Sequence, residues 1–443
     1  MNALIIASSP ISHIIPIKPL VKELISKKIK VYCISVRKNK ERIESYGAEF
    51  IEYPFIIQPA STNKYSIKKL MAEVNQMWEE GKILEGYEYY NKKDIESLFD
   101  ITKEQIDFMN NIALEKNIHI IFRDAVDKLG RFVAKNLNIL CIGYMTHNIY
   151  SKIFFEQNPR YYYGIFMHAL YKGKYLPTDY FDDFRSKCEK LFDYYSKKDG
   201  NYPVYCHHQL DPMTDFTIIF TTPFIQPKES LYEKRKYLIV PPDIERFNIE
   251  IYVDEKLKTF VESFDKIIYI ASGSIVTQSY DYYKKFILEF SKYNVGVVIS
   301  CGEMKKALQK FLESLPIRIN NVYLCEFAPQ QFLLSRCSLF ISSCGMNSIL
   351  EAIYHEVPML ATPMTSEMRL NGLIVDRINI GRTIYSYKNK DNKLGILLNE
   401  LFYSQNIKSN LHRYSNYLKQ ATPNWKPMWD YIKENIDEKD ILF

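Results

Sequence analysis

The stretch FISSCGMNSILEA, Phe340 to Ala352, sets a short apolar strand, a run of small polar residues and one glycine directly before a helix. Asn347, Ser348 and Glu351 fall in the first turns of that helix. Backbone N–H groups at a helix N-terminus lack partners within the helix, and the helix dipole adds positive potential. The arrangement therefore suits a bound anion. Taken alone, Asn347 and Ser348 read equally well as residues of an ordinary helix cap. A second cluster of chemistry-bearing side chains is Cys206-His207-His208. Three adjacent residues rarely converge on one ion and no second ligand pair is visible, so no metal site is expected.

The elements that must position these residues alternate between β and helical patterns. In the first half, residues 3–7, 30–36, 50–53, 118–122, 139–144, 215–220 and 236–242 read as strands. The intervening stretches carry apolar residues at helical spacing, as at Leu20, Val21, Leu24 and Ile25. The second half starts the rhythm again, with strands at 266–272, 295–300, 321–325, 338–343 and 358–362. This predicts an α/β chain of two facing, Rossmann-like, doubly wound domains, joined near residues 240–253. Ligands of such sheets sit at the carboxyl ends of the strands. Neither half has GxGxxG, and no glycine follows the first strand before Gly47, which disfavours NAD and FAD. No Walker A pattern appears.

The chain has 443 residues, 47% hydrophobic and 25% charged, the balance of a folded water-soluble protein. No apolar run reaches the roughly 18 residues of a membrane span. MNALIIASSP has no basic residue before its apolar run, which argues against a signal peptide. Eight scattered cysteines without a CxxC pair fit reduced thiols and a cytoplasmic location. The net charge is only +6, but Lys18 to Arg42 holds nine Lys or Arg against two Glu. That stretch is either the solvated face of a helix and loop or a patch for weak association with an anionic membrane surface. Nucleic acid is not expected as a partner, because no recognition module or basic-aromatic array accompanies the charge.

In the second half the motifs Phe327-Ala328-Pro329-Gln330, then Ser343-Cys344-Gly345-Met346-Asn347-Ser348 with Glu351, then Pro363, Glu367, Met368 and Asn371, stand in a definite order. Together with IYIASGS (268–274), they resemble the donor domain of the GT-B glycosyltransferases that use UDP- or TDP-sugars, with macrolide-type bacterial enzymes nearest in spacing. The resemblance implies Phe327 stacked on a pyrimidine and read beside Ala328 and Gln330. It implies a diphosphate held by Ser348 and backbone N–H groups near Gly345–Asn347, a ribose on Glu351, and a sugar near Glu367 and Met368, with Gly273, Ser274, Ser343 and Cys344 also in the donor site. Two positions depart from the family pattern. The phosphate-facing histidine is Ser343, which removes a charge-assisted hydrogen bond typically worth about 1.5–3 kcal/mol. The sugar-site glutamine is Met368, compatible with a less polar sugar.

The first half resembles the family at two places. ISHIIPIKPLVKEL (11–24) is similar to its G-H-x-x-P segment and implies His13 as general base. FRDAVDKLGRFVAKNL (122–137) implies Asp124 as the carboxylate that orients the imidazole, with Asp127 as the local competitor and helix capping as an alternative role for Asp124. The implied organisation is an acceptor-binding domain over 1–240, a donor-binding domain over 241–425, and a C-terminal helix within 426–443 returning to the first domain. Residues 150–210 are rich in Tyr and Phe, which suits a small, largely apolar acceptor bound with Tyr162, His147 and Asn148. The expected activity is inverting sugar transfer from UDP- or TDP-sugar to a hydroxyl, with no metal and no cofactor beyond that co-substrate. A UDP-N-acetylhexosamine isomerase and a non-catalytic partner protein on the same fold are the competing readings.

Overall fold

The computed structural model describes residues 1–8, 10–55, 102–125, 127, 129–149, 214–244, 253–272, 278–364, 366–384 and 392–436, with scattered positions between 70 and 93 and at 153, 157, 186 and 190. Described residues before 243, together with those from 422 onward, form one compact unit, and those of 243–421 form another.

In the first unit seven strands, β1 (Asn2–Ile6), β2 (Lys30–Ser35), β3 (Glu49–Glu52), β4 (Ile120–Asp124), β5 (Leu140–Met145), β6 (Thr217–Phe220) and β7 (Tyr237–Val240), form one sheet. Their order is β3-β2-β1-β4-β5-β6-β7, and every pairing is parallel. A parallel sheet is covered on both faces, so its strands are apolar throughout instead of alternating. Leu4 and Ile6 face one core layer and Ala3 and Ile5 the other. After β1 the chain turns through a single helical turn, α1 (Ile11–Ile14), into α2 (Lys18–Ser26), whose Leu20, Val21 and Leu24 close the second layer. Helix α3 (Leu129–Leu137) follows β4 and buries Val133 and Ala134 against the first. The strand order reverses between β1 and β4, the position where doubly wound sheets open a crevice at their carboxyl ends.

The second unit has six strands, β8 (Ile267–Ala271), β9 (Gly296–Ser300), β10 (Val322–Cys325), β11 (Leu339–Ser342), β12 (Met359–Ala361) and β13 (Gly381–Thr383). Their order is β10-β9-β8-β11-β12-β13, again wholly parallel, with the reversal between β8 and β11. The helices that bear on the site are α4 (Gln330–Leu334), α5 (Met346–Tyr354) and α6 (Ser366–Arg377), and α7 (Gln405–Gln420) packs on α5. Strand β13 escapes the sequence pattern because Gly381-Arg382-Thr383 holds no apolar run. Gly381 there is dictated by space, since a Cβ would lie 2.2 Å from the Met359 carbonyl.

Helix α8 (Lys426–Asn435) belongs to the first unit, where Met428, Trp429 and Ile432 enter the core beneath α2. Trp429 Nε1 donates to Glu23 at 2.7 Å, and Tyr431 stacks on Phe216 with centroids 4.8 Å apart. In the basic stretch of α2 to residue 42, Lys30, Arg37 and Lys40 lie within ion-pair distance of Glu49, Glu52 and Glu44, while Lys22, Lys27 and Lys28 are exposed. Among the described residues, no helix is long and apolar enough to cross a membrane.

Candidate active site

In the second unit the candidate residues gather at the carboxyl end of β11. Ser342, the last strand residue, accepts the Cys344 N–H on its hydroxyl at 3.2 Å and the Thr362 N–H on its carbonyl at 2.7 Å. This ties the turn to β12. Cys344 takes φ +70°, the left-handed region that a non-glycine residue enters at a cost, and its carbonyl accepts from the buried Asn371 at 3.0 Å. Gly345 then serves as the residue before α5, and no side chain caps that helix. Asn347 and Ser348 are half-buried in its first turn, so neither fills the ordinary N-cap position. The Ser343 hydroxyl is buried without a hydrogen-bond partner among the described residues. A Cβ placed on Gly345 meets nothing within 4 Å. A helix terminus without a side-chain cap, an unpartnered buried hydroxyl and open space are what a diphosphate needs.

Phe327 follows β10 and is 83% exposed, an unusual state for so large an apolar ring and one that a stacked base would relieve. Ala328 is half-buried beside it, and Gln330 opens α4. Gln330 Nε2 donates to Glu351 Oε2 at 2.5 Å and lies 3.5 Å from Ser348 Oγ. Glu351 is 8% exposed, and burial pushes its carboxyl up to about 7 against the opposing hydrogen bonds of Gln330 and Gln331. Once ionised, this carboxyl has only acceptor oxygens and can take a pair of hydroxyls. Glu367 on α6 is half-buried and accepts from Asn371 Nδ2 at 2.8 Å, and Met368 beside it is half-buried. Asn371 thus links the Cys344 turn to Glu367, a tie that spacing alone does not reveal. Gly273 and Ser274 lie outside the described residues, as does Cys206-His207-His208.

In the first unit, the switch between β1 and β4 brings His13 and Asp124 together. His13 sits on α1, reached directly from β1, and Asp124 is the last residue of β4. His13 Nδ1 lies 2.7 Å from Asp124 Oδ2, with the carboxylate side chain fully buried and the imidazole 19% exposed. A carboxylate only accepts, so the proton belongs on Nδ1 and Nε2 is left as the basic nitrogen. Asp127 has a different task. Its carboxylate accepts from the Leu129 and Gly130 N–H groups at 3.1 and 2.8 Å and so caps α3, while Arg123 donates to its carbonyl. The cap is therefore Asp127, and Asp124 faces histidine.

His147 and Asn148 follow β5 and are both buried. His147 Nδ1 lies 3.1 Å from the Asn148 carbonyl. The next N–H, of Ile149, goes to Gln226 Oε1 at 2.8 Å, and Gln226 in turn donates to Thr221 after β6. Gln226 carries no signal in its local sequence; only the β5–β6 pairing brings it there. Tyr162 lies outside the described residues.

Residues 302–420 match the family model described as UDP-glucoronosyl and UDP-glucosyl transferase. Among sequence relatives, an uncharacterised UDP-glucosyltransferase YdhE of Bacillus subtilis is 25% identical over 254 residues, which is 57% of this chain and 60% of the relative. The NDP-glycosyltransferase YjiC of the same organism is 27% identical over 180 residues, 40% of this chain and 43% of the relative. The chain thus spans at most about 60% of the length of these relatives. Among solved structures, the glycotransferase of kitacinnamycin superposes with TM-score 0.68 at 15% identity, over 98% of this chain and 99% of that one. Glycosyltransferase VinC, solved in complex with DTDP, gives TM-score 0.59 at 15% identity over 98% and 99%. At such identities these likenesses establish the fold, which is GT-B.

Proposed function

We propose that this chain, which carries the UDP-glycosyltransferase domain over residues 302–420 on a GT-B fold, transfers a sugar from a UDP- or TDP-sugar to a hydroxyl of a small, largely apolar acceptor. The observation that carries the reading is the end of β11, where a helix without a side-chain cap and a buried Ser343 hydroxyl with no partner among the described residues adjoin the buried Glu351. The diphosphate sits at the N-terminus of α5, the ribose hydroxyls donate to Glu351, and the base stacks on Phe327. Glu367 holds sugar hydroxyls, and Met368 offers an apolar neighbour in place of an amide.

Catalysis falls to His13. Its Nε2 takes the proton of the acceptor hydroxyl as the new bond to the anomeric carbon forms, and Asp124 stabilises the resulting imidazolium. The diphosphate leaves with the bonding electron pair, its charge held by the helix end and hydroxyls without a metal. Attack from the face opposite the leaving group inverts the anomeric centre. The aromatic composition of 150–210 supports an apolar acceptor, with His147, Asn148 and Tyr162 as contacts. The exposed Lys22, Lys27 and Lys28 support at most weak contact with an anionic membrane surface.

Calorimetry with UDP, TDP, GDP, ADP and CMP tests the donor half, with selective binding of UDP or TDP expected. Silence across the panel to millimolar ligand would remove the reading. For the catalytic half, His13→Ala should leave UDP binding within twofold and lower transfer by about 10²–10⁴-fold.

A further inference from the structure

Glu351 does not stand alone: the groups that set its protonation reach back to the centre of the sheet. Tyr269, in the middle of β8, is 2% exposed, and its ring stacks on Phe340 of β11 with centroids 5.0 Å apart and planes 7° apart. The two residues are register partners across the β8–β11 pairing, so the backbone ladder itself fixes the ring plane. Burial raises the phenol far above its ordinary range, so the hydroxyl keeps its hydrogen. That hydroxyl lies 3.3 Å from Gln330 Oε1, and the other end of the same amide donates to Glu351 at 2.5 Å. An amide has one accepting and one donating end. If its oxygen faced the ionised carboxylate, two acceptors would meet and a hydrogen bond would be replaced by repulsion. Tyr269 supplies a donor on the side where the oxygen must be.

We propose that Tyr269 is a positioning residue of the nucleotide site: its hydroxyl holds the Gln330 amide with nitrogen toward Glu351, which keeps that carboxyl able to ionise and accept the ribose. The proposal rests on the reading of Glu351 as the ribose contact. The Ser300 hydroxyl also lies within hydrogen-bond reach of the phenol, and its own hydrogen is directed to the Glu326 carbonyl at 3.3 Å. Glu351 is faced from α4 by Gln330 and Gln331 and from β8 by Tyr269. Beyond Gln331 stands His355, 2.6 Å away at the end of α5, held toward its neutral form by burial and by Lys419 of α7.

The test is a double-mutant cycle in the full chain, using Tyr269→Phe, Gln330→Ala and the pair. Two signals are followed: the titration of the Glu351 carboxyl in protein labelled with ¹³C at glutamate, assigned by Glu351→Gln, and UDP affinity by calorimetry. Tyr269→Phe removes one oxygen and leaves the stack on Phe340 in place. It should raise the Glu351 midpoint by roughly 0.5–1 unit and, through the smaller ionised fraction, weaken UDP about 1.5- to threefold at pH 7.5. At saturating donor, kcat should stay within twofold. In the Gln330→Ala background the same substitution should move neither signal. An unshifted midpoint in Tyr269→Phe overturns the proposal, as does an equal shift with and without Gln330, which would route the effect through Ser300 or packing. Wild-type protein that binds neither UDP nor TDP overturns the ribose reading itself. Wild-type protein that binds either while Tyr269→Phe titrates normally overturns this proposal alone.

Discussion

Gly345→Ala separates binding from folding at the end of α5. Gly345 has φ −64° and ψ 148°, an extended conformation open to any L-residue. A methyl group there meets no atom within 4 Å. Two small effects on stability then oppose each other. Alanine restricts the unfolded chain, worth about 0.4–1 kcal/mol. It is also a poorer residue than glycine before a helix, at a cost of about 0.5–1 kcal/mol. They cancel to within about 1 kcal/mol, so the melting temperature should move by no more than about 2–4 °C for a unit of this size. The anion has no such compensation, because the methyl occupies the space it needs over the first N–H groups of α5. Displacing one phosphate oxygen from one N–H forfeits a charge-assisted hydrogen bond worth about 1.5–3 kcal/mol, or roughly 10- to 100-fold in Kd. Thermal melts and UDP calorimetry on the same preparation read both quantities. UDP binding within twofold of wild type in a normally melting Gly345→Ala protein would refute the assignment of the helix end as the diphosphate site. A melting point lowered by ten degrees or more would show instead that the space is not open.

Glu351 gives a pH dependence of defined sign. Its folded-state carboxyl, at about 7, is raised above the unfolded value, so the fold binds the extra proton and loses stability as pH rises from about 4.5 to 7, by on the order of 3 kcal/mol. Glu351→Gln should therefore raise the unliganded melting point at pH 8 and leave it nearly unchanged at pH 4.5, as thermal melts will show. On the proposed reading, ribose hydroxyls donate to the ionised form, so UDP affinity should climb between pH 6 and 8 in wild type and climb less in Glu351→Gln when followed by calorimetry. Cys344 at φ +70° makes a further prediction, read from urea midpoints. Cys344→Gly should shift stability by less than about 1 kcal/mol, because relief of the left-handed strain offsets the lost buried thiol and the freer unfolded chain. Cys344→Val, β-branched in the same conformation, should cost about 2 kcal/mol or more.

How much of this was legible in sequence depends on the distance over which each signal acts. The alternation of apolar runs and helical stretches is local, and it located the strands of both sheets apart from β13. That strand, Gly381-Arg382-Thr383, holds no apolar run, and its glycine answers to a carbonyl of β12 that is more than twenty residues away. The stretch around Ser343 to Glu351 was legible for the same reason: strand end, turn and helix start are contiguous, and one motif covers them. Asp124 and Asp127 were not separable, since three residues apart either could cap a helix. The choice turns on α3 starting at Leu129, which puts Asp127 in capping range, and on β4 running two residues past Phe122, which carries Asp124 to the strand end. His13 facing Asp124 is a contact across 111 residues, so chemistry in the sequence could nominate the pair while only the β1–β4 adjacency could join it. The Tyr269–Gln330–Glu351 chain lies beyond sequence reasoning altogether. Tyr269 reads as an ordinary strand residue of an apolar run, and its partner depends on the register of β8 against β11 and on where α4 begins. The residues proposed to touch a ligand are written in motifs, whereas those proposed to aim them are set by strand register, and it is there that a variant should change affinity or pH response while every motif stays intact.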